Sequence, residues 1–485
     1  MKRIILSSIL LLLLSNFTFA QVKKYGKSIA QDFEKNSNTK YKDANAIVLY
    51  KYQKVYYDYG GGRMYINIII RERIKILNRE GFKNATKKIH FYSKENLNIK
   101  AVTYTNKGGK VEKIKLKKSD IYEEKINKNW KAKIFTMPNI SEGCIVEWEY
   151  RIQSPYIYNI NDFVFQYNIP IQYYKGKITF PEELSANYKY TDNFKINFTK
   201  NEGLEIKIDD VEALKEEPFV NNIENYRGKI SFEITKSDFL VIKGGYGGSE
   251  NVSKQFSRNW EDVTSSLYKD SRFGDELKKT NYFKNDLQEI IKNAETELKK
   301  IDAILAFVKN KVKWNGNYGI FTKNGVKQAY KNGVGNVVEI NLILTAMLRE
   351  SGLDVSPILV STRAHKKPVF PTRDGFNYVI AGVELLDKII LLDATKPYSL
   401  PNVLPKRVLN WQGRIIRKQG SSAFINLFPE KYNVNKSRLS VKMDESGNIK
   451  GNFNIAYKNL NALTYRKRWN GLANESLIKN LETQY

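Results

Sequence analysis

The stretch at residues 333–351 constrains the fold most strongly. Gly333 and Gly335 frame a glycine-rich turn, and Asn336 then precedes Glu339 by three residues, which is the spacing of a capping box at a helix start. Apolar residues follow at three- and four-residue intervals: Ile340, Leu344, Met347 and Leu348. These signals predict a helix over residues 336–351 with one buried face.

Three further motifs follow this helix in order. They are residues 357–363, Phe376-Asn377-Tyr378 and Leu391-Leu392-Asp393-Ala394-Thr395. Together with the helix, they resemble the core of the transglutaminase-like superfamily over roughly residues 295–405. The resemblance implies a papain-like α+β domain. In active members a Cys begins the buried helix, a His opens the next strand and an Asp ends the following strand.

The resemblance places the Cys position at Val337, the His position at Tyr378 and the Asp position at Asp393. A catalytic thiolate is stabilised by a helix N-terminus and a neighbouring imidazolium, and the His must itself be oriented by a third polar group. Valine offers no nucleophile and tyrosine is a poor base at neutral pH. The triad is therefore degenerate, and no residue is assigned a catalytic role.

Several polar or aromatic residues are candidates to line the cleft of this domain: Asn336, Glu339, Asn377 and Trp314. Asn336 and Glu339 also have a sufficient structural explanation as a helix cap. Asp393 has two interpretations, as the surviving acid of the triad or as a cap of the turn at residues 394–397. Without an imidazole to orient, the cap is favoured.

Residues 1–20 read as a signal peptide. Lys2 and Arg3 precede an apolar run, and Thr18-Phe19-Ala20 offers a small-residue cleavage site. The run is shorter than the roughly 20 residues that span a bilayer, so we expect cleavage near Ala20 and no remaining transmembrane anchor. The sequence thus predicts an exported protein, periplasmic or secreted.

At 485 residues the chain is long enough for about three domains. Residues 21–44 are predicted to form a linker or short helix, and residues 45–245 a β-sandwich-like domain, because short alternating strands are separated by turns. Residues 137–150, together with residues 163–170, resemble the domain of unknown function that commonly precedes transglutaminase-like domains in exported bacterial proteins. The glycines of residues 244–249 then form a linker.

Helical periodicity begins after this linker, and we assign residues 255–430 to the transglutaminase-like domain. Residues 435–485 begin with a predicted hairpin and end in a helical pattern, which indicates the start of a β-rich C-terminal domain that is incomplete. The predicted fold class is therefore multidomain α+β.

Two other residues could supply chemistry. Cys144 is the only cysteine, so no internal disulfide can form, and its alternating context predicts a small buried hydrophobe in a strand. His365 lies beside two lysines in a loop near the degenerate triad and is expected to be solvated. With two histidines and one cysteine in the chain, neither a metal site nor a cofactor is predicted.

The formal charge is +29, from 80 Lys and Arg against 51 Asp and Glu. This balance leaves an anionic surface open as a partner, but no nucleic-acid-binding motif accompanies it, so nucleic acid is not expected. The leading hypothesis is a non-catalytic binding or assembly module of the cell envelope with a peptide, protein or glycan ligand. The alternative is an amide-bond enzyme, a hydrolase or acyltransferase, that uses an unrecognised nucleophile.

Overall fold

The computed structural model describes residues 24–34, 41–127, 129–191, 194, 197–199, 203–242, 249–256 and 259–484. The predicted signal peptide at residues 1–20 and the glycines of the predicted linker at residues 244–248 lie outside these ranges. The chain divides into two compact units, residues 1–256 and 257–485.

The first unit is β-rich, as predicted. Its one α-helix among the described residues is α1 (Ile29–Glu34). Its strands are β1 (Ala46–Gly60), β2 (Arg63–Ile76), β3 (Thr86–Tyr92), β4 (Asn96–Lys107), β5 (Lys110–Lys115), β6 (Tyr122–Lys125), β7 (Trp130–Thr136), β8 (Ile145–Ser154), β9 (Phe163–Val164), β10 (Ile171–Ile178), β11 (Leu184–Tyr190), β12 (Asn197–Thr199), β13 (Leu204–Val211), β14 (Lys229–Ile242) and β15 (Ser249–Gln255).

An eight-stranded sheet organises this unit, in the order β12-β13-β10-β1-β2-β8-β4-β5. The hairpin predicted around residues 58–62 is confirmed: β1 and β2 pair antiparallel, and Gly61 and Gly62 turn the chain with φ values of 57° and 75°. β1 also pairs with β10 in parallel. Two smaller sheets contain β3-β7-β6 and β11-β14-β15, with β9 on β14.

Both faces of the large sheet are covered. On one face, Trp148 of β8 packs edge-on against Phe135 of β7, with 6.1 Å between the ring centroids. On the other face, α1 is fastened by the fully buried Arg73, which donates to Asp32 at 2.5 Å and to Glu147 at 2.8 Å. The unit is therefore layered, in agreement with the predicted sandwich-like arrangement.

The second unit combines helices with a five-stranded antiparallel sheet. Its helices are α2 (Trp260–Lys269), α3 (Gly274–Leu277), α4 (Lys284–Ile291), α5 (Glu297–Lys311), α6 (Val326–Asn332), α7 (Val337–Glu350), α8 (Leu460–Trp469) and α9 (Asn474–Gln484). Its strands are β16 (Lys313–Trp314), β17 (Val334–Gly335), β18 (Val355–Val360), β19 (Tyr378–Glu384), β20 (Ile389–Leu392), β21 (Gln412–Ile416), β22 (Ser422–Asn426), β23 (Val434–Met443) and β24 (Ile449–Lys458).

Helix α7 lies at the centre of this unit. The predicted helix is confirmed, but the expectation of a single buried face is wrong: every residue from Val337 to Leu348 is buried. The sheet, in the order β20-β19-β18-β21-β22, contacts α7 through β18 and β19, while α3, α5 and α6 contact it elsewhere. The buried polar residues of α7 form hydrogen bonds: Asn341, for example, donates to the carbonyl of Val379 at 2.8 Å.

A hairpin and two helices follow the sheet in this unit. β23 and β24 form the predicted antiparallel hairpin, in which Met443 faces Ile449 and Leu439 faces Phe453. The helices α8 and α9 follow it. The whole chain is thus α+β, with a β-rich first unit and a helical and β-sheet second unit, as predicted.

Candidate functional site

The start of helix α7 is held by its own capping box. The Asn336 side-chain oxygen accepts the backbone N–H groups of Val338 and Glu339 at 3.0 and 2.8 Å. In return, Glu339 Oε2 accepts the N–H of Asn336 at 2.8 Å. The predicted cap is therefore confirmed in both directions.

Glu339 also fixes a second loop. Its Oε1 accepts the backbone N–H groups of Lys323, Asn324 and Gly325 at 2.9, 2.7 and 3.2 Å. The carboxylate is buried, so it needs these charge-assisted bonds to remain stable there. Glu339 consequently joins the turn before α6 to the start of α7, a role that its position in a capping box alone does not predict.

Val337 occupies the first position of α7 and is fully buried. Its N–H donates to the carbonyl of Asn317 at 3.3 Å, so the loop that contains Asn317 lies against the helix start. An isopropyl side chain here can contribute packing but no nucleophilic attack.

Tyr378 and Asp393 meet in the interior. Tyr378 opens β19 and Asp393 follows β20 directly, and the tyrosine hydroxyl donates to Asp393 Oδ2 at 2.8 Å. The other carboxylate oxygen accepts the backbone N–H of Thr395 at 2.9 Å, which confirms the predicted turn cap. Asn341 of α7 also approaches this oxygen, at 3.3 Å. Asp393 therefore caps the turn and orients the tyrosine at the same time.

Arg407 completes this cluster and was not anticipated from the sequence. Its Nη2 and Nε donate to the Tyr378 hydroxyl at 2.7 and 3.1 Å, and Nη2 also donates to Thr395 Oγ1. Thr395 Oγ1 and the Tyr378 hydroxyl share a further bond of 2.8 Å. Nη2 lies 3.9 Å from Asp393 Oδ2. The guanidinium thus offsets the buried carboxylate.

The hydroxyl of Tyr378 has all its hydrogen-bonding capacity occupied by these three neighbours. Burial, and secondarily the charge of Asp393, raise its pKa well above the usual 10, and Arg407 only partly opposes this. Tyr378 is therefore a neutral phenol at physiological pH and cannot act as a base.

Trp314, Tyr318 and Arg407 form an aromatic and cationic surface beside the cluster, here called the lip. The Arg407 guanidinium carbon lies 4.4 Å from the Trp314 ring centroid, and the Trp314 indole N–H donates to the carbonyl of Asn317 at 3.0 Å. The ring of Tyr318 lies 5.4 Å from Trp314 and 6.0 Å from Tyr378, and Tyr318 is 48% exposed. The lip therefore presents solvent-exposed surface, whereas the triad positions beneath it are buried.

Comparison with known families now identifies the domain. The family model of the transglutaminase-like superfamily matches residues 285–386. The model of a domain of unknown function, DUF3857, matches residues 67–214. Residues 285–386 belong to the transglutaminase-like superfamily. The order of the two domains is the predicted one.

A solved structure from Parabacteroides distasonis, named as a "putative protease", shares the fold of this transglutaminase-like chain. The two are 14% identical with a TM-score of 0.51, over 79% of this chain and 72% of the other. At this identity the likeness concerns the fold alone. A search of curated proteins found no match.

The remaining candidates of the transglutaminase-like domain have structural partners. The Asn377 side chain pairs with Thr362, accepting its backbone N–H and donating to its hydroxyl, both at 2.9 Å. His365 Nδ1 lies 3.0 Å from the Ser361 hydroxyl, and burial lowers its pKa. His365 is therefore partly exposed and not fully solvated, because the loop folds back on Ser361. Its described hydrogen bonds include none to Tyr378 or Asp393.

Cys144 lies in the first unit, directly before β8, and is buried in the main hydrophobic cluster. Burial raises the pKa of its thiol. It is therefore a core residue, as predicted.

Among the residues that the structure describes, no three His, Cys, Asp or Glu side chains lie close enough together to hold a metal ion. No helix in the same residues is long and apolar enough to cross a bilayer.

Proposed function

We propose that this protein is a non-catalytic transglutaminase-like protein that serves as a binding or assembly module at the cell envelope. The observation that carries the proposal is the hydrogen-bonded cluster of Tyr378, Asp393 and Arg407 at the positions where active relatives orient their base. A phenol fixed as a donor to Asp393 cannot take a proton from a nucleophile.

Two further features support loss of the reaction. Val337 stands at the nucleophile position with a fully buried hydrocarbon side chain. Arg407 introduces a cation that would disfavour protonation of any neighbouring imidazole and so impair proton transfer. The capped helix and its sheet are retained, which fits a domain that keeps its shape for recognition.

The lip of Trp314, Tyr318 and Arg407 is the surface through which we expect a ligand to be held. Half-exposed aromatic rings and guanidinium groups are typical of residues that dominate binding interfaces. We expect a peptide, protein or glycan of the envelope as ligand. The envelope location rests on the predicted signal peptide at residues 1–20.

The proposal is tested by incubating the purified protein with amide-containing peptides, with and without a fluorescent primary amine, and analysing the products by mass spectrometry. We expect neither cleavage nor amine incorporation while circular dichroism confirms folded protein. Turnover that co-purifies with the folded protein would overturn the proposal.

The same assay identifies the residue responsible if turnover is found. Cys144→Ala and His365→Ala remove the one thiol of the chain and the histidine of the second unit. Turnover abolished by either substitution would favour an amide-bond enzyme with an unrecognised site. In our proposal neither substitution has any activity to abolish.

A further inference from the structure

A groove in the second unit lies between the turn that follows Lys396 and the helices α8 and α9. Its volume is about 390 Å³. The side chains that line it are largely apolar or aromatic: Pro397, Tyr398, Leu400, Tyr465, Trp469 and Leu477. The turn is held to the end of α8, because Asn470 donates to the Tyr398 hydroxyl at 2.6 Å. The groove is therefore a formed concavity that could enclose one large apolar side chain.

Four basic residues, here called the rim, adjoin this groove. Arg466 lines the groove, Lys396 directly precedes the lining residue Pro397, and Lys467 and Arg468 lie between the lining residues Arg466 and Trp469 in the last turn of α8. Within the described residues, none of these four side chains forms an ion pair with a carboxylate. The guanidinium carbon of Arg468 lies 4.5 Å from the Trp469 ring centroid. The rim thus concentrates uncompensated positive charge beside apolar surface.

Lys396 shows that these charges act on one another. Burial lowers its pKa, and Arg407 and Lys467 lower it further by repulsion, with Asp393 opposing them. Its ammonium also lies 5.3 Å from the Trp314 ring centroid. A carboxylate bound at the rim would relieve this repulsion, so the rim favours an anionic ligand.

We propose that this groove binds an acidic peptide segment, with one apolar or aromatic side chain in the groove and flanking carboxylates on the rim. An acidic polysaccharide would match the charge but has no apolar side chain to fill the groove. A membrane surface needs a protruding apolar face, whereas this one is concave. The groove shares no residue with the triad positions, so this inference does not depend on the proposed loss of catalysis.

The test uses the purified full-length protein and peptides that carry an uncharged fluorophore. The first probe is the acetylated pentapeptide Asp-Glu-Phe-Glu-Asp, the second replaces its acidic residues with Asn and Gln, and the third replaces Phe with Ser. Binding is followed by fluorescence anisotropy in dilute buffer and again at physiological salt. We expect the first peptide to bind at least about tenfold more tightly than either of the others, and more weakly as salt screens the rim.

Two variants assign the binding to this groove. Arg466→Glu combined with Lys467→Glu reverses two rim charges and should weaken the first peptide by at least about tenfold. Leu400→Ser changes an exposed lining residue and should weaken the first peptide but not the Ser-containing one. The matched control is Arg438→Glu with Lys442→Glu, which makes the same change of charge on the exposed strand β23 and should leave affinity within about twofold.

Four results would overturn the inference. One is equal binding of the acidic and amide peptides. Another is an equal loss in the rim variant and in its β23 control, since attraction would then depend on total charge alone. The third is tighter binding of an oligomer of glucuronic acid or of anionic lipid vesicles, unaffected by Leu400→Ser. The fourth is self-association of the protein that the rim variant abolishes, with no binding of any peptide. The groove would then bind a second copy of the chain and not an acidic peptide.

Discussion

The hydroxyl of Tyr378 donates a 2.8 Å hydrogen bond to the carboxylate of Asp393, and both residues are fully buried. In active transglutaminase-like proteins the corresponding pair is a histidine and an aspartate. The aspartate thus keeps a partner of similar shape and position, but the partner is an acid with a pKa far above physiological pH. The hydrogen bond to the aspartate is therefore retained, but the basic nitrogen that catalysis needs is absent from Tyr378.

Tyr378→Phe should lower the free energy of unfolding by about 2 to 3 kcal/mol, because it removes a buried hydrogen bond to a charged group and leaves Arg407 with one acceptor fewer. The measurement is urea unfolding at neutral pH. Tyr318→Phe is the control: it removes a hydroxyl from a side chain that is 48% exposed and should change stability by less than about 0.5 kcal/mol. Equal effects of the two substitutions would contradict the buried network.

Glu339→Gln should cost about 3 kcal/mol of stability. The carboxylate accepts four backbone N–H groups through its two oxygens, and an amide would point a donor at one part of that set. Urea unfolding again provides the measurement, with Glu350→Gln at the exposed end of the same helix as the control. A Glu339→Gln protein as stable as the control would show that these bonds are dispensable.

Val337→Cys should yield a poorly reactive thiol despite its place at a helix start. The site is fully buried beneath the lip, so a reagent must wait for local opening. We expect this thiol to react with a disulfide reagent about 100-fold more slowly than Val334→Cys does. Val334 lies in β17, three residues before Val337, and is 48% exposed. The wild-type protein gives the background from Cys144. Fast labelling of Val337→Cys would mean that the triad positions are open to solvent.

Glu72 should make the first unit sensitive to acid. Burial alone would raise its pKa, but the charges of Lys87 and Lys51 and the hydrogen bonds from Lys87 and Tyr167 outweigh burial and lower the pKa from 4.5 to about 2. A lowered pKa in the folded state stabilises the protein above pH 4.5, by about 3 kcal/mol, and that contribution disappears as pH falls toward 2.

The corresponding substitution is Glu72→Gln. It should lower stability by about 3 kcal/mol at neutral pH, and its difference from wild type should shrink between pH 4.5 and 2. Urea unfolding at several pH values measures this. Glu142→Gln, on the surface of the same unit, should retain the wild-type pH profile. A difference between Glu72→Gln and wild type that is constant with pH would refute the assignment.

The local parts of the site were predictable from sequence. The capping box at Asn336 and Glu339 depends on residues three apart, and the helix follows from apolar periodicity. The turn cap at Asp393 likewise involves Thr395, two residues away. The assignment of Tyr378 and Asp393 to adjacent strands came from the family resemblance, because strand pairing is not encoded in the spacing of one segment.

The long-range partners were not predictable. Arg407 reaches Tyr378 from 29 residues downstream, in a segment without a motif, and only the folded chain brings them together. Complete burial of α7 was also missed, because Asn341 and Thr345 make its second face look polar. These side chains are satisfied internally, Thr345 by the carbonyl of Asn341 at 2.7 Å.

The capping of α7 has a consequence for any attempt to restore a reaction. The N–H group of Val337 is taken by Asn317, and the next three N–H groups donate to the side chain or carbonyl of Asn336. An oxyanion hole needs free donors at such a helix start. Introducing Cys at Val337 and His at Tyr378 would therefore supply a nucleophile and a base, but the first four N–H groups from Val337 onward would not be free to stabilise a tetrahedral intermediate. The loop around Asn317 would first have to move away.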